Sequence, residues 1–168
     1  DDAMRNKEKN SGTKAFSFKN SLDFKQVKFS YNNNSEIISE ISFSLKRGEI
    51  LGLIGPSGAG KTTIVDLLLC LYEPNGGIIT LDGENVSDIL MKDWRTNIGY
   101  VPQDAFMIND TIENNIKFYD ESITHEDMIV ASKMANIYEF IEGQPEKFQT
   151  MVGERGTMLS GGQRQRIA

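Results

Sequence analysis

Hydrophobic and polar positions change their spacing several times along the chain, and each spacing predicts a different element. Between residues 22 and 31, Val27, Phe29 and Tyr31 alternate with Gln26, Lys28 and Ser30, the two-residue period of a half-buried strand. Asn32, Asn33 and Asn34 read as a turn, after which Ile41, Phe43 and Leu45 alternate with Ser42 and Ser44 in a second strand. The hairpin-like spacing of the pair predicts an antiparallel sheet. Residues 50–54, Ile-Leu-Gly-Leu-Ile, are apolar without alternation, as expected of a strand buried on both faces. Beyond a glycine-rich stretch the period becomes helical, with Ile64, Val65, Leu67, Leu68 and Leu71 on one stripe.

Pro74, Asn75, Gly76 and Gly77 form the next turn, and residues 77–83 a further strand with its own turn at Asp82 and Gly83. A short helical patch over 91–95 precedes a strand at 98–103 that Pro102 brings to a stop. From Thr111 onward the pattern is helical, over 111–116, 125–135 and 137–141. The last stretch places Ser160 as an N-cap before Gly161, Gly162 and Gln163 at the start of another helix.

Composition changes this picture little. The 168 residues are 39% hydrophobic and 25% charged, ordinary for one globular domain with a proper core. A net charge of −6 argues against a nucleic-acid surface as the main business, so no nucleic-acid partner is expected. The single cysteine, Cys70, lies in the apolar part of the helix and reads as core, which fits a reducing compartment. The sole histidine, His125, reads as a surface residue at a helix start. No apolar run approaches the ~20 residues a bilayer crossing needs, and the longest, 64–72, is interrupted by Asp66, so any membrane role is expected to run through a partner. Residues 1–21 are polar and charge-mixed and read as a linker or tail ahead of the domain at 22–168.

The candidate chemistry sits in Gly55, Pro56, Ser57, Gly58, Ala59, Gly60, Lys61 and Thr62, which fit G-x-x-x-x-G-K-[ST]. Phosphate oxygens have to be met by several backbone N–H groups at once, and glycines let the main chain curl that closely. Lys61 supplies a point positive charge for the β- and γ-phosphates, and the Thr62 hydroxyl, with Thr63 beside it, opens a helix whose positive end faces the anion. Thr62 also suits a Mg²⁺ ligand. The apolar run before the loop and the helical stripe after it give the strand–loop–helix setting the motif requires. The start at Ser160, Gly161 and Gly162 has two readings: a second anion-binding device, or a capped helix start and nothing more.

These residues together resemble the nucleotide-binding domain of ATP-binding cassette (ABC) transporters, and the resemblance covers nearly everything from residue 22 to residue 168. Leu159, Ser160, Gly161, Gly162 and Gln163 look like that family's signature motif. The resemblance implies an α/β fold: a P-loop NTPase (RecA-like) core with an N-terminal antiparallel β subdomain and an α-helical subdomain at about 104–160. It implies ATP and Mg²⁺ as cofactors, with Tyr31 stacking on adenine, Gln103 reaching Mg²⁺ and the attacking water, and Lys61 and Gln103 as the catalytic pair. Tyr31 read without the family is a strand-face core aromatic. By resemblance, Ser160 to Gln163 touch the γ-phosphate held by a second nucleotide-binding domain, identical or different, in a head-to-tail dimer. Val152, Gly153, Glu154, Arg155 and Gly156 look like the segment that contacts the coupling helices of ABC exporters, and Gln103-Asp104-Ala105-Phe106 followed by Asn109-Asp110-Thr111-Ile112 fits the same branch.

The expected activity is therefore ATP hydrolysis powering export of a substrate, at the cytoplasmic face of a membrane, with a transmembrane domain fused upstream. A soluble ABC ATPase acting as a nucleotide-gated clamp is the alternative from another class, and a non-catalytic nucleotide-binding fragment the third. The family's magnesium-binding aspartate, catalytic glutamate and switch histidine follow the signature and are not among these 168 residues. The expectation is thus an incomplete domain, with the last strands of the core sheet missing and with binding but not turnover on its own.

Overall fold

The computed structural model describes residues 12–31 and 36–168. The alternating segment forms β1 (Ser21–Phe29), which is hydrogen-bonded along both edges. β2 (Ile38–Lys46) runs antiparallel on one side, with Phe24 opposite Phe43, and β3 (Gly76–Leu81) antiparallel on the other, with Leu22 opposite Leu81. The two-residue β4 (Glu84–Asn85) completes the order β2-β1-β3-β4. The expected hairpin pairing is present, but its inward face is not the simple alternation Val27, Phe29, Tyr31. Leu22 and Phe24 are buried in the same cluster as Val27 and Phe29, because a bulge at Gln26, with φ 49, inserts the extra residue that moves the following side chains to the other face. The displaced Gln26 N–H is taken up by the Ser42 hydroxyl at 2.8 Å. Gly77 crosses beside this bulge with φ 74, and a Cβ there would stand 2.2 Å from the Gln26 carbonyl oxygen, so only glycine fits.

The chain divides into two units, Asp1–Gly99 and Tyr100–Ala168. In the first, α1 (Lys61–Leu68) ends in a left-handed Cys70, φ 54, with Leu71 N–H on the Asp66 carbonyl (2.9 Å) and Cys70 N–H on that of Leu67 (3.1 Å). Cys70 is half-buried and packs against the core, but it lies beyond the end of the helix, as does Leu71, and not in the helix expected to hold both. α2 (Met91–Thr96) buries Trp94, whose indole N–H donates to the Leu68 carbonyl at 2.9 Å and ties α2 to the end of α1. Part of the expected linker, 1–11, and the expected turn at Asn32 to Asn34 lie outside the described residues. Residues 12–20 lie against the sheet unit: Lys14 bridges Ile89, and Phe16 and Phe18 pack on the core.

The second unit is helical: α3 (Ile112–Lys117), α4 (His125–Met134), α5 (Tyr138–Glu142) and α6 (Gly161–Ile167). Met107, Ile112, Met128, Ile141, Phe148, Val152 and Ile167 form its own core. His125 is exposed at the first turn of α4.

Two expected strands are absent. Residues 50–54 and 98–103 form no strand and have no ladder partners among the described residues. Ile50 is 100% and Ile54 98% exposed, while Tyr100 and Val101 are also open to solvent. The reason is physical: an all-apolar strand is stable only when neighbours pair with both edges and cover both faces, and here neither condition is met.

Candidate functional site

The phosphate-loop candidate hangs between the unpaired run at 50–54 and α1. Gly58 and Gly60 take left-handed conformations, φ 81 and 83, which turn the chain into the helix at no steric cost. Nothing lies within 4 Å of a Cβ placed at Gly58, so the requirement there is conformational alone. Within the loop, Ala59 N–H bonds the Pro56 carbonyl at 3.2 Å, and Ile64 N–H makes the first helical bond, to Gly60, at 3.0 Å. α1 has no side-chain cap, and among the described residues the N–H groups of Gly60, Lys61, Thr62 and Thr63 meet no acceptor. Orphan donors at the positive end of a helix are what an anion needs. Lys61 Nζ donates to the carbonyls of Gly55 and Pro56, both at 2.8 Å, and so draws the loop's first residues toward the helix start. Thr62 is exposed and Thr63 buried.

Tyr31 lies beyond the end of β1, 45% exposed, so it is not the core aromatic that strand alternation alone implied. Its hydroxyl is 3.2 Å from Thr63 Oγ1 and 3.3 Å from Asp66 Oδ2. The ring meets Phe29 and Tyr72 nearly perpendicularly, at centroid distances of 4.9 and 5.1 Å. The structure thus joins Tyr31 to the helix that follows the loop. The contacts of Tyr31 with Asp66 and Tyr72 were not read from the sequence. The available signal was the one charge inside the apolar run 64–72, which a purely packed helix face has no use for.

In the second unit, Ser160 caps α6. Its Oγ accepts the Gln163 N–H at 3.3 Å while Gln163 Oε1 accepts the Ser160 N–H at 2.7 Å, a reciprocal capping box. Gly161 and Gly162 are exposed, with no Cβ contact at Gly162. Arg164 donates to the Leu159 carbonyl at 2.9 Å and, at 3.4 Å, to the carbonyl of Gly156 in the turn at Glu154–Gly156, where Arg155 is left-handed at φ 51. Gln103 is exposed, and its carbonyl accepts from the Gln165 side chain at 3.0 Å.

Two of the shifted ionisations belong to a turn and a cap in the helical unit. The Tyr119 hydroxyl, helped by Asn114 and the Thr111 N–H, holds Asp110 below its ordinary value, and the Thr124 hydroxyl and N–H do the same for Asp127. Among the described residues no group of three or more His, Cys, Asp or Glu could hold a metal ion. The loop therefore offers a charge clamp with two exposed hydroxyls, Ser57 and Thr62, which suits a cation brought in on phosphate oxygens better than a freestanding metal centre.

Against known proteins, a family profile described as ABC transporter matches residues 38–168. The Beta-(1-->2)glucan export ATP-binding/permease protein NdvA of Rhizobium etli is 40% identical over 169 residues, covering 100% of this chain and 29% of that protein. The mitochondrial iron-sulfur clusters transporter ATM1 of Gibberella zeae is 37% identical over 88% of the chain and 21% of its own length. ATP-binding cassette sub-family B member 6 of Homo sapiens is 41% identical over 89% and 18%. A solved bacterial Atm1-family ABC exporter with ATP bound superposes with a TM-score of 0.83 at 38% identity, over 95% of this chain and 28% of that one. The chain thus spans less than a third of each of these relatives. Its fold is that of the P-loop ATPase domain, and the implied ligand is a nucleotide. With the profile spanning both the glycine-rich loop and the Ser160 helix start, the chain belongs to the ABC transporter family.

Proposed function

We propose that this chain binds Mg-ATP and that the whole protein hydrolyses it to drive export of a substrate across a membrane. The observation that carries this is the uncapped start of α1, where among the described residues the N–H donors of residues 60–63 meet no acceptor and Lys61 folds over the same loop. Lys61 and these N–H groups hold the phosphates. Thr62 and Gln103 are the residues to hold Mg²⁺, which supplies charge neutralisation at the phosphates. Tyr31 provides the aromatic surface for the base.

Ser160, Gly161, Gly162 and Gln163 serve the γ-phosphate of a second nucleotide-binding domain, identical or different, docked head to tail. A transmembrane domain of the same protein is the other partner, which places this chain at the cytoplasmic face of the membrane. The export reading is favoured over a soluble clamp by the names of the relatives, an export ATP-binding/permease protein and an iron-sulfur clusters transporter.

The test is ATP hydrolysis by the whole protein in proteoliposomes. The expected result is turnover that falls at least ~100-fold in Lys61→Ala, the scale of losing a principal transition-state donor. Turnover unaffected by Lys61→Ala, or none in the unaltered protein, would contradict the reading.

A further inference from the structure

Three aromatic rings and one carboxylate converge where β1 runs out. Tyr31 has left the sheet ladder, so backbone pairing does not orient its ring. What orients it is side-chain chemistry. Phe29, buried, and Tyr72, 46% exposed, stand at 85° and 86° to it, and Phe29 and Tyr72 also touch each other at 5.5 Å. At the far end of the ring the hydroxyl reaches two residues three apart on α1, Thr63 and Asp66. One assignment satisfies all three groups: Tyr31 donates to the Asp66 carboxylate and accepts from the Thr63 hydroxyl. Thr63 is also one of the residues at the start of α1 whose backbone N–H meets no acceptor among the described residues.

We propose that Tyr72, Asp66 and Thr63 form a seat that sets the pose of Tyr31, so that the part of nucleotide affinity due to the base depends on side chains that do not touch the base. This rests on the nucleotide-binding reading above and deepens it. Tyr72 fixes the ring from the side, and Asp66 and Thr63 fix it from the tip. Through Thr63 the seat shares a residue with the phosphate cradle, so base and triphosphate are registered by one helix turn. Asp66 and Tyr72 are positioning residues. Without them Tyr31 keeps its chemistry and loses its pose.

The readout has to separate base from phosphate. In the full chain, dissociation constants for Mg-ATP and for inorganic tripolyphosphate are measured side by side, and their ratio reports the base contribution. Removing the Asp66 charge alters the field on both ligands alike, so the ratio cancels that effect. Base–aromatic stacking is of a size that makes the expected drop in ATP preference about tenfold for Tyr72→Ala and about threefold for Asp66→Ala, with tripolyphosphate affinity moving less than about twofold.

Tyr72→Phe keeps the ring and is expected to restore the ratio. Tyr31→Phe keeps the stacking surface but removes both tip bonds, and is expected to lose about threefold in the ratio. It decides the matter if Tyr72→Ala fails to fold by circular dichroism. A wild-type ratio in Tyr72→Ala and Asp66→Ala, or in Tyr31→Phe where Tyr72→Ala is unfolded, overturns the seat and leaves the nucleotide reading standing. A wild-type chain that binds ATP no better than Lys61→Ala overturns both.

Discussion

The two glycine-rich helix starts look alike on paper and differ in how far the chain itself satisfies their N–H groups. α6 begins with Ser160 in an extended conformation, φ −66 and ψ 161, and closes a capping box with Gln163. α1 begins with Gly60 at φ 83 and no side-chain cap, and the N–H groups of its first turn find no acceptor among the described residues. At α6 the capping box satisfies the Ser160 and Gln163 N–H groups and leaves those of Gly161 and Gly162 without an acceptor among the described residues, whereas at α1 all four from Gly60 to Thr63 are left for water or a ligand. The difference sorts the two anion-device readings. The start at 60–63 is an open cradle. The start at 160–163 is a self-capped end that still offers the Ser160 O–H proton and two exposed glycines, suited to touching a phosphate that something else holds.

The comparison can be broken most severely at Lys61. Lys61→Ala removes the ammonium of the open start along with its bonds to the Gly55 and Pro56 carbonyls, and ATP affinity is expected to fall about 100-fold by titration calorimetry. Next is Gly58→Ala. With nothing within 4 Å, the change tests φ 81 alone, and urea unfolding is expected to show a loss of about 1–2 kcal/mol. Ser160→Ala removes the cap of the self-contained start, and a loss of about 1 kcal/mol in the stability of the helical unit is expected by the same measurement.

The smallest effect is in acid. α4 is capped by Thr124 and Asp127, and the Thr124 hydroxyl and N–H lower the Asp127 pKa from 3.8. A lowered folded pKa means that stabilisation is complete above 3.8 and is lost as the pH falls through the lower folded value. α1 has no acidic residue in its first turn and lacks this route. Amide exchange between pH 5 and 3 is expected to loosen α4 in the wild type and to be flatter in Asp127→Asn.

Helices and their caps were legible because each is a local device. Ser160 precedes its helix by one residue and caps it, as the pattern implied, while Thr111, expected inside its helix, and Thr124 prove to be caps as well. The β1–β2 pairing was legible from alternation, but the bulge at Gln26 was not, since it depends on Ser42 and Gly77, far away in the chain. The strands expected at 50–54 and 98–103 failed for the opposite reason: their composition specifies burial, and burial requires neighbours that no local pattern supplies. Within the site, the phosphate loop and the Ser160 start could be read from residue spacing. The link from Tyr31 to Thr63, Asp66 and Tyr72 could not, because it joins a strand end to a helix face.

Hydrogen exchange with and without Mg-ATP, at a concentration low enough to keep the protein monomeric, tests the contrast between the two starts most directly. The account predicts that ATP slows exchange of the amides of Gly60, Lys61, Thr62 and Thr63 by about tenfold or more, while those of Gly161 and Gly162 stay unchanged. Unchanged exchange at residues 60–63, or equal protection at both starts in the monomer, would contradict it.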